Sequence, residues 1–201
     1  LIVVDQIIKD HPSDTIILDN QRASYEPVKK LISLGHTKIA IITGGIDHYT
    51  SQQRLNGYEK ALRECHLPIY KHYIQCGNYS TEGGYEAMMK LAKLPDPPTA
   101  VFISNYDMEI GAYIAINNLN LKIPEDISLI GFDNLPLVNI VNPPLSFSEQ
   151  PTDEMGLTAA KLLYRRMLGD QSDYPKTLIH APLFHYTDSI CSPLDKERVR
   201  L

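Results

Sequence analysis

Several polar residues with directional hydrogen-bonding groups stand just after short apolar runs. Asp5 follows "LIVV", Asn78-Tyr79 follow "YIQC", Asn105 follows "TAVFIS", Asp133 follows "ISLIGF" and Gln150 follows "LSFSE". Arg54 sits early in the amphipathic stretch after "TGG" (43–45). Two carboxylates, a guanidinium, amides and a phenol offer planar, directed partners and one stacking surface. That set suits a small polyol or heterocycle, in which each hydroxyl or ring nitrogen needs its own partner. A carboxylate closing a run as apolar as "ISLIGF" must find donors, and Arg54 or a ligand hydroxyl is the expected source. Each residue also has an ordinary reading: Asp133 a turn, Asn105 a helix cap, Arg54 a surface residue, Tyr79 a core edge, Asp5 a strand end. "TGG" reads as a tight turn, because no GxGxxG or GKS/T follows it to cradle a phosphate.

Catalytic and metal chemistry find little support. The sequence has no GxSxG elbow, no HExxH and no CxxC. His180 and His185 flank a proline-containing segment and make a poor metal pair. The reading therefore includes no catalytic residue, no metal and no cofactor. Cys65, Cys76 and Cys191 are odd in number and far apart, which points to structural thiols in a reducing cytoplasm.

The elements that must position these residues alternate along the chain. Strands are expected at 1–4, 15–18, 38–43, 73–76, 99–104, 127–132, 145–150, 177–180 and 182–187. Helices are expected at 25–35, 51–65, 81–94 (Thr81 as N-cap), 107–119 and 153–168. Apolar runs interleaved with helices describe α/β architecture with doubly wound parallel sheets buried on both faces. Ligands of such sheets bind outside the carboxyl ends of the strands, where the polar residues fall. His36 starts a strand and so belongs to the opposite edge. The proline-rich loop 135–144 and "EQPT" (149–152) mark a change of layer, after which a second lobe begins.

With 201 residues, 43% of them hydrophobic, the chain can bury a real core. Nineteen basic against twenty-four acidic residues give a net charge of −5, which argues against a nucleic-acid surface here. No apolar run approaches the roughly 18 residues a membrane span needs, so no membrane partner is expected. The chain starts at Leu1 inside a strand-like run and reads as a piece of a longer protein.

The segments "LISLGHTKIAIITGG" (31–45), "RLNGYEKAL" (54–62), "GNYSTEGGYEAM" (77–88), "PPTAVFISNYDMEIGA" (97–112), "LKIPEDISLIGFDNLPL" (121–137) and "NPPLSFSEQPTDEMG" (142–156) resemble the lactose/galactose/purine repressor family of bacterial transcription regulators. The resemblance runs from residue 1 to about residue 190. It implies a two-lobed, type I periplasmic-binding-protein-like fold with the N-terminal lobe incomplete. One lobe would comprise 19–148 plus 181–190, the other 1–18 plus 149–180, with 191–201 as a tail. It implies effector contacts at Asp5, Arg54, Tyr79, Asn105, Asp133 and, less directly, Gln150. One departure stands out: the family's Asn-Asp after the "TAVF" strand is here Asn105-Tyr106-Asp107.

The implied function is effector binding and dimerisation in a DNA-binding repressor. A sugar-like or nucleobase effector would change operator affinity through an N-terminal helix-turn-helix outside this chain. A homodimer would read a near-palindrome. The proposed self-contact joins the helix around Met108–Tyr113 to the apolar loop Leu135–Val141. The alternative is a periplasmic sugar-binding protein feeding an ABC-type transporter, and a third reading is an α/β enzyme using Asp5 and Asp133.

Overall fold

A computed structural model describes residues 1–8, 10–133 and 141–193. Three strands of the large sheet carry runs that look in two directions at once. In β3 (Ile39–Thr43), β5 (Ala100–Ile103) and β6 (Ser128–Phe132) every residue is buried. Successive side chains on a strand point to opposite faces, so a fully buried strand needs cover on both. The cover is built from two helix pairs. On one face Ala40, Ile42, Val101, Ile103 and Leu129 meet Met88 and Leu91 of α3 (Thr81–Ala92) and Met108 and Ala112 of α4 (Tyr106–Asn118). On the other face Ile39, Ile41, Phe102 and Ile130 meet Val28 and Leu31 of α1 (Asn20–Ser33) and Tyr58 and Leu62 of α2 (Tyr49–Glu64).

The large sheet runs β4-β3-β5-β6-β7-β9, with β4 at Ile74–Cys76, β7 at Ser146–Glu149 and β9 at Leu183–His185. All its pairings are parallel except β7 with β9. A second, three-stranded parallel sheet runs β1-β2-β8, from Ile2–Val4, Asp14–Leu18 and Thr177–His180. Helix α5 (Thr152–Met167) covers it through Met155 and Leu162 against Ile16. The chain changes sheet at Asp19, at Gln150-Pro151 and at Ala181-Pro182.

Helix α1 begins five residues before the expected Tyr25. Its first turns bury Asn20, Ala23 and Ser24, small or polar residues that carry no apolar periodicity. Asp19 caps it by accepting from the Arg22 N–H at 2.9 Å. Pro27 lies inside the helix and cannot donate to the Ala23 carbonyl four residues back. The buried Ser148 hydroxyl of β7 supplies that bond instead, at 2.7 Å. The N-cap of α3 is Ser80 rather than the expected Thr81, its hydroxyl accepting from the Gly83 N–H.

At the foot of the small sheet, the fully buried Asp14 carboxylate accepts from Arg166 Nε and Nη2 at 2.7 and 2.9 Å and from the Lys176 N–H at 2.9 Å. This fork ties α5 to β2. The proposed self-contact fares differently. Met108, Gly111 and Ala112 are buried in the core, leaving Ile110, Tyr113 and Ile114 on the outer side, while Leu135–Ile140 lie outside the described residues.

Candidate effector site

Because every strand but β9 runs parallel to its neighbours, the carboxyl ends in each sheet share one edge. β1 leads to Asp5, β4 to Asn78-Tyr79, β5 to Asn105, β6 to Asp133 and β7 to Gln150. Arg54 lies on the second turn of α2. The structure brings all six predicted residues, Asp5, Arg54, Tyr79, Asn105, Asp133 and Gln150, around one cavity of about 280 Å³. Asp5 comes from the small sheet and the other five from the large sheet and its helices. Gln6, His48 and Thr50 complete the lining.

Asp133 is served differently from expectation. Gln150 donates its Nε2 to both carboxylate oxygens, at 3.2 and 3.1 Å, and its backbone N–H to one of them. Arg54 does not bond Asp133. Its Nε donates to Asn20 Oδ1 at 2.8 Å and its Nη1 to the Ser104 carbonyl at 2.6 Å. Its guanidinium lies 3.7 Å from the Phe132 ring centroid. A planar cation stacked on a ring and forked into two acceptors is held rigidly, so Arg54 acts on the two acids through space. Burial pushes the Asp5 carboxyl up, Arg54 pulls it down and Asp133 raises it again. Burial likewise raises Asp133, against the Gln150 bonds and Arg54. Arg54 itself is lowered by burial, with Asp5 and Asp133 opposing. Asp5 Oδ1 is buried without a hydrogen-bond partner.

Tyr79 is fixed at its phenol, which meets Thr50 Oγ1 at 2.9 Å and Ser51 Oγ at 2.5 Å. His48 meets its ring edge-on, with centroids 5.2 Å apart. Gly44 is required by this ring: a Cβ there would stand 2.2 Å from it. The glycine of "TGG" thus serves close approach, since its φ is not left-handed. Asn105 plays both roles considered for it. It lines the cavity and caps α4, accepting from the Asp107 and Met108 N–H groups. Asp5, Asn78, Tyr79 and Asp133 all have left-handed backbones, with φ of 60, 50, 56 and 74°. Non-glycine residues rarely adopt such angles, and strain of this kind gathers at functional sites.

Thr50 and Arg54 are four residues apart on α2, so they share a face; that spacing was the available signal for Thr50. A larger cavity, about 510 Å³, is lined by Tyr113, Ile116, Ile123, Pro124, Asn142 and Pro143, among others. It lies at the amino ends of β6 and β7, the edge where parallel sheets do not bind ligands. The smaller, polar cavity is therefore the candidate site. Among the described residues no group of three His, Cys, Asp or Glu side chains is arranged to hold a metal, and no helix is long and apolar enough to cross a membrane.

A parallel α/β sheet with a polar crevice along its carboxyl edge, opposed by a second sheet, defines a small-ligand-binding domain. Residues 28–185 match the periplasmic binding protein-like domain. The chain belongs to that family, within its lactose/galactose/purine repressor branch. It is 41% identical over 163 residues to the probable HTH-type transcriptional repressor ExuR of Bacillus subtilis, covering 81% of this chain and 49% of that protein. It is 35% identical over 192 residues to the ribose operon repressor of Haemophilus influenzae, covering 96% and 58%. A crystal structure of a LacI family transcriptional regulator from Enterococcus faecium with bound ribose superposes with a TM-score of 0.86 at 29% identity, covering 95% of this chain and 70% of that one. The chain spans about half the length of the curated relatives it matches.

Proposed function

We propose that this chain is the effector-binding region of a bacterial transcriptional repressor, taking a neutral, hydroxyl-rich small molecule such as a monosaccharide between its two sheets. The observation that carries the reading is the composition of the crevice wall: Asp5 from the small sheet faces Arg54 and Asp133 of the large one around a single cavity. A ligand filling it bonds both sides and so biases their relative orientation. A coupling of about 1–3 kcal/mol is enough to shift an equilibrium several-fold to a hundredfold. Two carboxylates against one guanidinium leave excess negative charge, which disfavours anionic ligands and favours hydroxyl donors.

In this reading the lobes are 19–148 plus 181–190 and 1–18 plus 149–180, the protein works as a cytoplasmic homodimer, and operator DNA is met by a helix-turn-helix elsewhere in the protein. No residue is assigned a catalytic role. The curated relatives are named as repressors, which supports this reading over a transporter-feeding sugar-binding protein.

The test is a thermal-shift screen of the chain against D-ribose, D-galactose, adenosine, D-galacturonate and ribose 5-phosphate. A rise in Tm with a neutral sugar or nucleoside, and none with the acid or the phosphate, is expected. A preference for the anionic compounds overturns the charge argument.

A further inference from the structure

Glu109 is a carboxyl that neither the core nor the crevice explains. It lies on α4 and is fully buried. Its Oε2 accepts from the Phe132 N–H at 3.2 Å, and its Oε1 has no hydrogen-bond partner. The Asp133 N–H turns to β7, bonding the Ser148 carbonyl at 2.6 Å. By the alternation of a strand, the Phe132 N–H turns the other way, toward β5. β5 has already ended at Ile103, and Oε2 of the Glu109 carboxyl takes its place as acceptor. Gly131 makes room for it, because a Cβ there would stand 2.1 Å from the Glu109 carboxyl. At its other end Glu109 donates its own N–H to the Asn105 carbonyl at 3.1 Å. Phe132, in turn, carries the Arg54 guanidinium on its ring.

We propose that Glu109 is a positioning residue for the crevice: its uncharged carboxyl ties the helix that begins at Asn105 to the strand that ends at Asp133, and so makes ligand affinity depend on its proton. The inference rests on the crevice being the effector site. Burial pushes the Glu109 carboxyl up to about 8, against the Phe132 bond, and Asp133 adds to the rise. Among the described residues the charged group that acts on it is Asp133, just past the end of β6. Asp107 of its own helix is exposed, and Arg54 lies against the Phe132 ring. Ionisation strengthens the Phe132 bond, but it also places an unsolvated second negative charge behind Asp133; the burial cost is the larger of the two and drives the carboxylate out of its place beside the strand end.

Calorimetric titration of the full chain with D-ribose at pH 7 and pH 9 reads this directly. If only the protonated form holds the crevice, a carboxyl titrating at about 8 weakens binding roughly tenfold between those two values. Glu109→Gln, which keeps an acceptor for Phe132, gives a flat profile at close to wild-type affinity. Glu109→Ala binds weakly at both pH values. An equal fall in wild type and Glu109→Gln, or no fall in wild type, overturns the proposal. Absence of binding by D-ribose, D-galactose and adenosine alike counts against the effector reading instead. The positioning role is then decided without ligand by 13C titration of the Asp133 carboxyl. A second inflection near the Glu109 titration, lost in Glu109→Gln, is expected, and a single inflection in wild type overturns the proposal.

Discussion

Glu109 also sets how the stability of the fold depends on pH. Its carboxyl titrates at about 8 in the fold against an ordinary 4.5. Below pH 4.5 it is protonated folded and unfolded alike, and burial then carries no ionisation cost. Between the two values the folded chain holds a proton that the unfolded chain gives up, so stability falls as pH rises, by about 1.4 kcal/mol per pH unit. At pH 7 the loss is about 3 kcal/mol, and above pH 8 it levels off at about 5 kcal/mol. Domains of this size have about 5–15 kcal/mol in hand, so the loss is large enough to measure. Glu109→Gln cannot ionise. It should match wild type within about 1 kcal/mol at pH 5 and exceed it by about 3 kcal/mol at pH 7. Urea unfolding of both proteins at pH 5, 7 and 9, with m-values compared to exclude a change of unfolded state, gives the difference. A gap between the two proteins that stays constant with pH refutes the assignment of a buried, protonated Glu109.

Asp14→Ala removes the forked partner of Arg166 and the acceptor of the Lys176 N–H but leaves Arg166 its contacts with Asp173 and the Asp170 carbonyl, and should cost about 1–3 kcal/mol, while the double change Asp14→Leu with Arg166→Met should recover part of it by urea unfolding. Ser148→Ala leaves the Ala23 carbonyl unserved and should cost about 1–3 kcal/mol; adding Pro27→Ala restores a backbone donor to that carbonyl and should return part of the loss in the same assay. Gly44→Ala drives a Cβ into the Tyr79 ring, 2.2 Å away, and should abolish the ribose-induced thermal shift while the far-ultraviolet dichroism stays unchanged.

The large sheet was legible because burial on both faces leaves its mark on every residue of a strand. Ile39 and Ile41 serve one side and Ala40 and Ile42 the other, giving the unbroken "IAII" that reads as a buried parallel strand. The site was legible for a related reason. Parallel strands gather their carboxyl ends, so strand order alone places residues as distant as Asp5 and Gln150 along the carboxyl edge. What stayed hidden depends on partners far along the chain. The start of α1 leaves no apolar mark in the sequence, because Asn20 is buried by its bond to Arg54, 34 residues on, and not by hydrophobicity. The tolerance of Pro27 depends on Ser148. The donors of Asp133 come from Gln150 and not from Arg54, whose own donors are taken by Asn20 and Ser104. Glu109 looks like an ordinary helical acid until Gly131 is seen beneath it. The resemblance supplied the two-lobe plan and the residue roles, but the hydrogen-bond assignments belong to this chain.

The effector lies, on the proposed function, between the two sheets, held by Asp5 on one side and by Arg54 and Asp133 on the other. The crystal structure of the chain with the monosaccharide that stabilises it most tests this directly. Ring hydroxyls should donate to the Asp5 and Asp133 carboxylates, with the sugar close to Arg54 and the Tyr79 ring. A sugar seated instead in the larger cavity beside Tyr113 and Pro124, with the polar crevice left to water, contradicts it.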